Sequence, residues 1–299
     1  MKHFLTGLIL IAAAALSAQM KIVGTTLPVT AVTKAVLSGV PGAEISVLLP
    51  EIAGCPHDYS LTPADMKRLT GANIIVINGG GMEGFLDGVI ERICPKAQIA
   101  DASKGILSDC KKHSCGHKHC HHGHGHHAEN EHILAAPALA AKAIRSVGNQ
   151  FCSFPELAGS AEKIQQNTKE FTAKLEKISA DYASFASVLP DHKKRVLAQH
   201  SIFDYLAKEA GFSVEGYIFE HDLQEPSAAE AAKLLRLIKT EKIFAILAEP
   251  GEKSRMTEML SRESGIPVIY LNVNPKTDSP EELLKLFSDD LEILKKAIQ

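Results

Sequence analysis

Short runs of aliphatic and β-branched residues alternate along this chain with longer segments in which apolar positions recur every three or four residues. Residues 21–26 read as a strand, 29–37 as a helix and 45–49 as a second extended run. A strand over 73–78 stops at Gly79-Gly80-Gly81, and a helix over 82–94 leads to a short strand near 97–100. This alternation predicts βα units laid on a parallel sheet. Helical spacing returns at 138–146. From 155 to 189 the positions Phe171, Leu175, Ile178, Tyr182 and Phe185 predict one long amphipathic helix, ended by Pro190-Asp191. A second series follows, with strands at 195–199, 213–217, 243–247 and 267–272 and helices at 203–210, 228–239, 253–264 and 280–298. The expected fold is α/β: two lobes with parallel sheets and flanking helices, joined by one long backbone helix. The N-terminal lobe takes residues 19–153, the linking helix 154–190 and the C-terminal lobe 191–299. A single rigid connection makes wide hinge opening harder than in proteins whose lobes are joined by several flexible strands.

Residues 109–131 break the pattern. Cys, His, Lys, Gly and Glu dominate there, with nothing large enough to fill a core, so the segment reads as a mobile surface loop. It also explains the oddest feature of the composition. Of 14 histidines in 299 residues, eight fall between 113 and 127: His113, His117, His119, His121, His122, His124, His126 and His127. Imidazole is the commonest protein ligand for zinc, so the composition points to metal. The charge balance, 32 basic against 35 acidic side chains, provides no general basic field for nucleic acid or an anionic membrane.

The N-terminus carries a lysine, an apolar run over 4–16 and a small-residue exit at Ser17-Ala18. About 13 apolar residues are too few for a spanning helix, which needs roughly 20, and fit a cleavable signal peptide over residues 1–18. No cysteine stands just after that exit, so a lipid anchor is not expected, and the protein is placed in the periplasm. Six cysteines, Cys55, Cys94, Cys110, Cys115, Cys120 and Cys152, are compatible with a disulfide in such a compartment. Their pairing is not legible from spacing, and the three beside the histidine tract could equally serve as thiolate ligands.

Outside the tract, three histidines share a context. His57 lies in the loop after the run 45–49, His200 directly follows the strand 195–199, and His132 opens a helical segment. Ligands in open α/β sheets collect at the carboxyl ends of strands, where His57 and His200 fall. The stretch from Cys55 through His57-Asp58-Tyr59 to Met66-Lys67 resembles the first-ligand motif of the metal-binding solute-binding proteins that serve zinc and manganese ABC importers. His132 followed five residues later by Pro137 resembles a second motif of that family, with Leu134 where Trp is usual. His200 with Phe203, Tyr205 and Gly211-Phe212 resembles a third. Glu225-Pro226-Ser227 and Ala248-Glu249-Pro250 resemble further landmarks, and the similarity runs in order from about residue 21 to the C-terminus.

The resemblance implies a metal site in the interlobe cleft with His57, His132 and His200 as nitrogen ligands. It also implies Zn²⁺ as the transported ligand, a membrane permease of a zinc ABC importer as partner, and no catalysis; a monomer is expected. A histidine at the third position suits zinc, since manganese members place a carboxylate there. The family's usual Asp after the last strand is Asn272 here, so the fourth position is left to Asn272, Glu51, water, another carboxylate or a tract side chain. The tract histidines would capture metal weakly, because flexible ligands must be ordered each time an ion binds. His192 and His221 match no ligand motif and are expected at helix ends or on the surface. Three alternatives remain: a manganese-type or general divalent-metal binding protein, a periplasmic zinc buffer or adhesin without transport, and a zinc hydrolase. The last lacks a His-Glu-x-x-His helix and a Gly-x-Ser-x-Gly turn.

Overall fold

A computed structural model of the chain describes residues 19–50, 56, 59–107, 130–219, 226–251 and 254–299. The N-terminal half contains β1 (Met20–Gly24), α1 (Leu27–Val36), β2 (Ala43–Val47), α2 (Pro63–Leu69), β3 (Ile74–Ile77), α3 (Ile90–Ile93), β4 (Gln98–Asp101) and α4 (Pro137–Ser153). The long helix α5 (Ala161–Val188) crosses to β5 (Arg195–Ala198), α6 (Asp204–Glu209), β6 (Ser213–Tyr217), α7 (Ala228–Thr240), β7 (Ala245–Ala248), α8 (Arg255–Ser264), β8 (Val268–Tyr270) and α9 (Pro280–Ala297).

Each lobe is built on a four-stranded, wholly parallel sheet. The orders are β2-β1-β3-β4 and β6-β5-β7-β8, the same sequence of crossovers used twice. The central strands are apolar without alternation, as expected of strands covered on both faces: Ile74, Ile75 and Val76 in β3 and every residue of β7 are buried. In each sheet the chain leaves its first strand toward one edge and its third strand toward the other. The crevice between those two carboxyl ends is the natural place for a ligand.

Three apolar clusters hold the molecule together. One lies on the outer side of the first sheet around Val23, Leu48 and Ile75, and another on the outer side of the second around Leu197, Ile246 and Leu260. The third and largest is shared by both lobes, running from Ile22 and Val32 through Phe151, Leu175 and Tyr182 to Phe203, Leu247 and Phe287. It is sealed where α4 and α5 cross. A methyl group at Gly148 would sit within 2.3 Å of Thr168 Oγ1, so only glycine lets the two helices approach this closely. Asn167 on α5 donates to the carbonyls of Val36 and Ser38, and Lys34 pairs with Asp278 across the lobes at 2.7 Å. The lobes are thus joined by a continuous core as well as by one helix.

Three expectations change. The helix read over 82–94 is a 3-10 turn at Gly84–Leu86 followed by the single turn α3, because Gly88, at φ +67°, and the glycines before it break the helical path. The linking helix begins at Ala161, after a 3-10 stretch from Pro155 to Ser160. The helix α2 stands where none was read. Its start carries a full capping box, Thr62 accepting from Asp65 N–H while the Asp65 carboxylate accepts from Thr62 N–H. Residues 1–18, most of the loop 109–131 and Cys55, Cys110, Cys115 and Cys120 lie outside the described residues; Cys94 and Cys152 are unpaired thiols. No helix among the described residues is long and apolar enough to cross a membrane.

Candidate metal centre

Between the lobes lies a cleft of about 500 Å³, counted to its open mouth, whose walls include Thr26, Pro56 and Asn78 from one side and His200, Glu249 and Asn274 from the other. His132 and His200 face each other across it, with ring centres 5.9 Å apart and planes inclined at 64°. Apolar neighbours, Met82, Leu134, Ala135, Ile202 and Val273, complete the wall, so charge placed in the cleft is only partly screened by water.

His132 is nearly buried, at 5% exposure, and is the N-cap of a 3-10 turn leading to α4. Its Nδ1 lies 2.8 Å from Asn130 Oδ1, which also accepts from His132 N–H at 3.0 Å. An amide oxygen can only accept, so the ring proton sits on Nδ1 and the lone pair on Nε2. Asn130 is itself held by the opposite lobe. Its Nδ2 donates to Ser201 O at 2.6 Å and Asp204 Oδ2 at 3.0 Å, and its carbonyl accepts from Tyr205 OH at 2.7 Å. Tyr217 OH donates to the other oxygen of Asp204. Burial raises the Asp204 carboxyl and, with that bond, pushes the Tyr217 hydroxyl to about 12. The last residues of the expected loop are therefore fixed behind the cleft wall, Asn130 by these bonds and Glu131 through its carbonyl, which accepts from Asn78 Nδ2 at 2.8 Å.

His200 stands two residues past the end of β5, after Gln199. Its Nδ1 accepts a long, 3.4 Å bond from Ile202 N–H, and its Nε2 lies 2.9 Å from Glu249 Oε1, just past the end of β7. Gln199, fully buried, accepts from Glu249 N–H at 2.8 Å and ties the two strand ends together. These residues occupy the crevice of the second sheet. The equivalent crevice of the first sheet is filled by Glu83, whose carboxylate accepts from Thr25 OH at 2.7 Å, Asn78 N–H at 2.7 Å and Gly79 N–H at 3.0 Å. Complete burial pushes Glu83 up to about 7 despite those three donors.

Of the expected ligands, the structure brings His132 and His200 together. His57 and Glu51 lie outside the described residues, as do the eight tract histidines, although Pro56, the residue before His57, lines the cleft. Asn272 is turned away. Its N–H and Nδ2 both donate to Asp290 Oδ1, at 2.9 and 3.2 Å, while its successors Val273 and Asn274 reach the cleft. His192 is exposed in a 3-10 turn, as expected, and His221 lies outside the described residues. Among the described residues no three His, Cys, Asp or Glu side chains are already gathered as a metal site. Glu249 was read only as a landmark of the resemblance. Its position immediately after the apolar run 245–248 is the signal that could have placed it at the crevice.

A family profile for the periplasmic zinc-uptake complex component A matches residues 22–297. The high-affinity zinc uptake system protein ZnuA of Bacillus subtilis is 28% identical over 256 residues, which cover 85% of this chain and 78% of that protein. The zinc-binding protein AdcA of Streptococcus pyogenes is 25% identical over 94% of this chain but only 55% of its own length, so this chain spans about half of it. Among solved structures, the solute-binding protein FpvC of Pseudomonas aeruginosa, in complex with Ni²⁺, superposes with a TM-score of 0.78 at 20% identity, covering 94% of this chain and 97% of that one. That likeness establishes the same two-lobed fold.

Proposed function

The chain belongs to the family of the periplasmic zinc-uptake complex component A, and on that footing we propose that it captures Zn²⁺ outside the cytoplasmic membrane and delivers it to the permease of an ABC importer. Members of this family are binding components of transporters, and no chemistry is performed on the ion. The observation that carries the reading is the meeting of one imidazole from each lobe, His132 and His200, across a single cleft. Two imidazoles sharing a tetrahedral ion place their ring centres roughly 5 Å apart, so an approach of under about 1 Å from the observed 5.9 Å would let both hold it.

His57 is the third ligand in this reading, being the residue next to Pro56, which lines the cleft. Three nitrogens favour zinc over manganese, which prefers oxygen. The tract histidines 113–127 act as a weak collector of the ion, and the leading segment 1–18 is the export signal. We divide the chain at 153/154 and 190/191, on either side of the linking helix.

The test is calorimetry on the mature protein. The double change His57→Ala with His200→Ala should abolish the tightest Zn²⁺ site, and an unchanged site would sink the assignment. Loss of growth in zinc-poor medium on deleting the gene, restored by added zinc, supports import; absence of any defect supports the buffer or adhesin reading instead.

A further inference from the structure

We propose that Glu249 supplies the carboxylate of the metal site, binding the ion beside His200 in the position that Asn272 does not fill. This rests on the zinc-capture reading and names one more of its donors. Glu249 lines the cleft, and its Oε1 already lies 2.9 Å from His200 Nε2. Both side chains are mostly withdrawn from solvent, at 13% exposure for His200 and 18% for Glu249. Their backbones are fixed at the ends of adjacent strands through the Gln199 bond to Glu249 N–H, so the pair is held on rigid elements before any ion arrives.

The geometry lets an ion replace a proton. The Ile202 N–H points at His200 Nδ1, which places the ring proton on Nε2, between the ring and Glu249. Zinc bound to one nitrogen at about 2.0–2.1 Å and one oxygen at about 2.0–2.2 Å, with a tetrahedral angle, sets those two atoms roughly 3.4 Å apart. The pair therefore has to open by about 0.5 Å, a side-chain adjustment. In the step, the Nε2–H bond breaks, its proton passing through solvent to Nδ1, and the electron pair left in the ring plane on Nε2 binds zinc. The 3.4 Å contact from Ile202 N–H is lost, and it is the weakest bond the ring makes. A carboxylate beside the imidazole offers the ion a full negative charge where three imidazoles alone would offer none.

Among the described residues, three other carboxylates are engaged elsewhere. Asp204 holds Tyr217 and Asn130, Glu83 is enclosed by Thr25, Asn78 and Gly79, and Asp290 is directed at Asn272.

Zinc affinity of the full mature protein, measured against a competing chelator, and zinc-edge X-ray absorption decide the matter. Glu249→Gln keeps the shape and an oxygen that can accept from Nε2–H but removes the charge. It should weaken zinc ten- to a thousandfold and change the light-atom shell from four protein donors to three plus water or chloride. Glu249→Asp should fall between it and the parent. If Glu249→Gln binds as tightly as the parent with an unchanged shell, the proposal is overturned, and equally so if only Glu249→Ala weakens binding, because a hydrogen bond alone then explains the residue. A zinc-loaded crystal structure with the ion beyond about 3 Å from both Glu249 oxygens overturns it as well. His200→Ala in parallel separates the two failures: if it too leaves the tight site intact, the capture reading falls, whereas loss there with none at Glu249→Gln removes only the present proposal. Circular dichroism of the metal-free variants verifies the fold, and Glu249→Asp remains a readout should Glu249→Gln prove unstable.

Discussion

The two sheets have the same strand order and the same crevice between their central strands, yet use a glutamate there in opposite ways. In the N-terminal lobe, Glu83 fills the crevice and is saturated by a hydroxyl and two backbone N–H groups. In the C-terminal lobe, Glu249 stands at the crevice mouth against an imidazole and faces the cleft. Topology therefore provides the position without deciding the role. The partner decides it: backbone donors cannot be exchanged for an ion, whereas the proton of a histidine can.

The largest expected effect separates the two glutamates. Glu83→Ala leaves Thr25 OH and two N–H groups without an acceptor in a buried crevice, at about 1–3 kcal/mol each, so urea unfolding of the metal-free protein should show a loss of at least about 3 kcal/mol. Glu249→Ala should cost under about 1 kcal/mol in the same experiment and act on zinc instead. Equal losses from the two changes would erase the distinction.

A second effect of similar size is set by pH. Burial raises Glu83 from 4.5 to about 7, so between those values the folded state keeps a proton that the unfolded chain has released. Stability from this group is then full below about pH 4.5, falls as pH rises and levels off above about 7, a difference of roughly 3 kcal/mol. Asp290, raised by burial from 3.8 to about 7, works in the same direction from the C-terminal lobe. Unfolding measured from pH 5 to 8 should show this decline, and Asp290→Asn should make it shallower. A rise in stability over that range would contradict the burial argument for both groups.

Smaller effects sharpen the comparison at the strand ends. Gly24 closes β1 where Ala198 closes β5, and a methyl group at Gly24 would lie 2.4 Å from Thr30 Oγ1 and 2.8 Å from Thr30 Cα. Gly24→Ala should destabilise by about 1–3 kcal/mol through displacement of α1, seen as a lowered unfolding midpoint. Smallest are the capping boxes, one in each half, at Thr62 with Asp65 and at Ser227 with Glu230. Thr62→Ala should cost about 1 kcal/mol and more than Ser227→Ala, because buried Asp65 also holds Tyr59 OH and Arg68. Paired thermal unfolding curves will order them.

Much of this arrangement could be read along the chain. The apolar runs of β3, β5 and β7 announce buried parallel strands by themselves, and motifs that span only a few residues single out His132 and His200, which the structure brings to one cleft. What could not be read depends on long-range contact. Glu83 is bound to Thr25 and Glu249 to His200, partners 58 and 49 positions away, and nothing local distinguishes either carboxylate from a solvated one. Asn272 stands where the resemblance implies an Asp ligand, but Asp290 on α9 draws its amide away from the cleft. The helix over 82–94 was overread because apolar spacing does not register the cost of Gly84 and Gly88 in a helix interior.

The shared core also governs when the molecule can become whole. Leu283, Phe287, Leu291 and Leu294 of α9 enter the same cluster as Val32 of α1, and Tyr182 of α5 donates its hydroxyl to the Phe287 carbonyl at 2.9 Å. These contacts join α1 and α9, so no amount of early folding in the N-terminal half can complete the centre. A chain still emerging from a ribosome lacks its keystone until α9, residues Pro280–Ala297, has arrived. Only then do the two halves lock and the cleft between them take its shape.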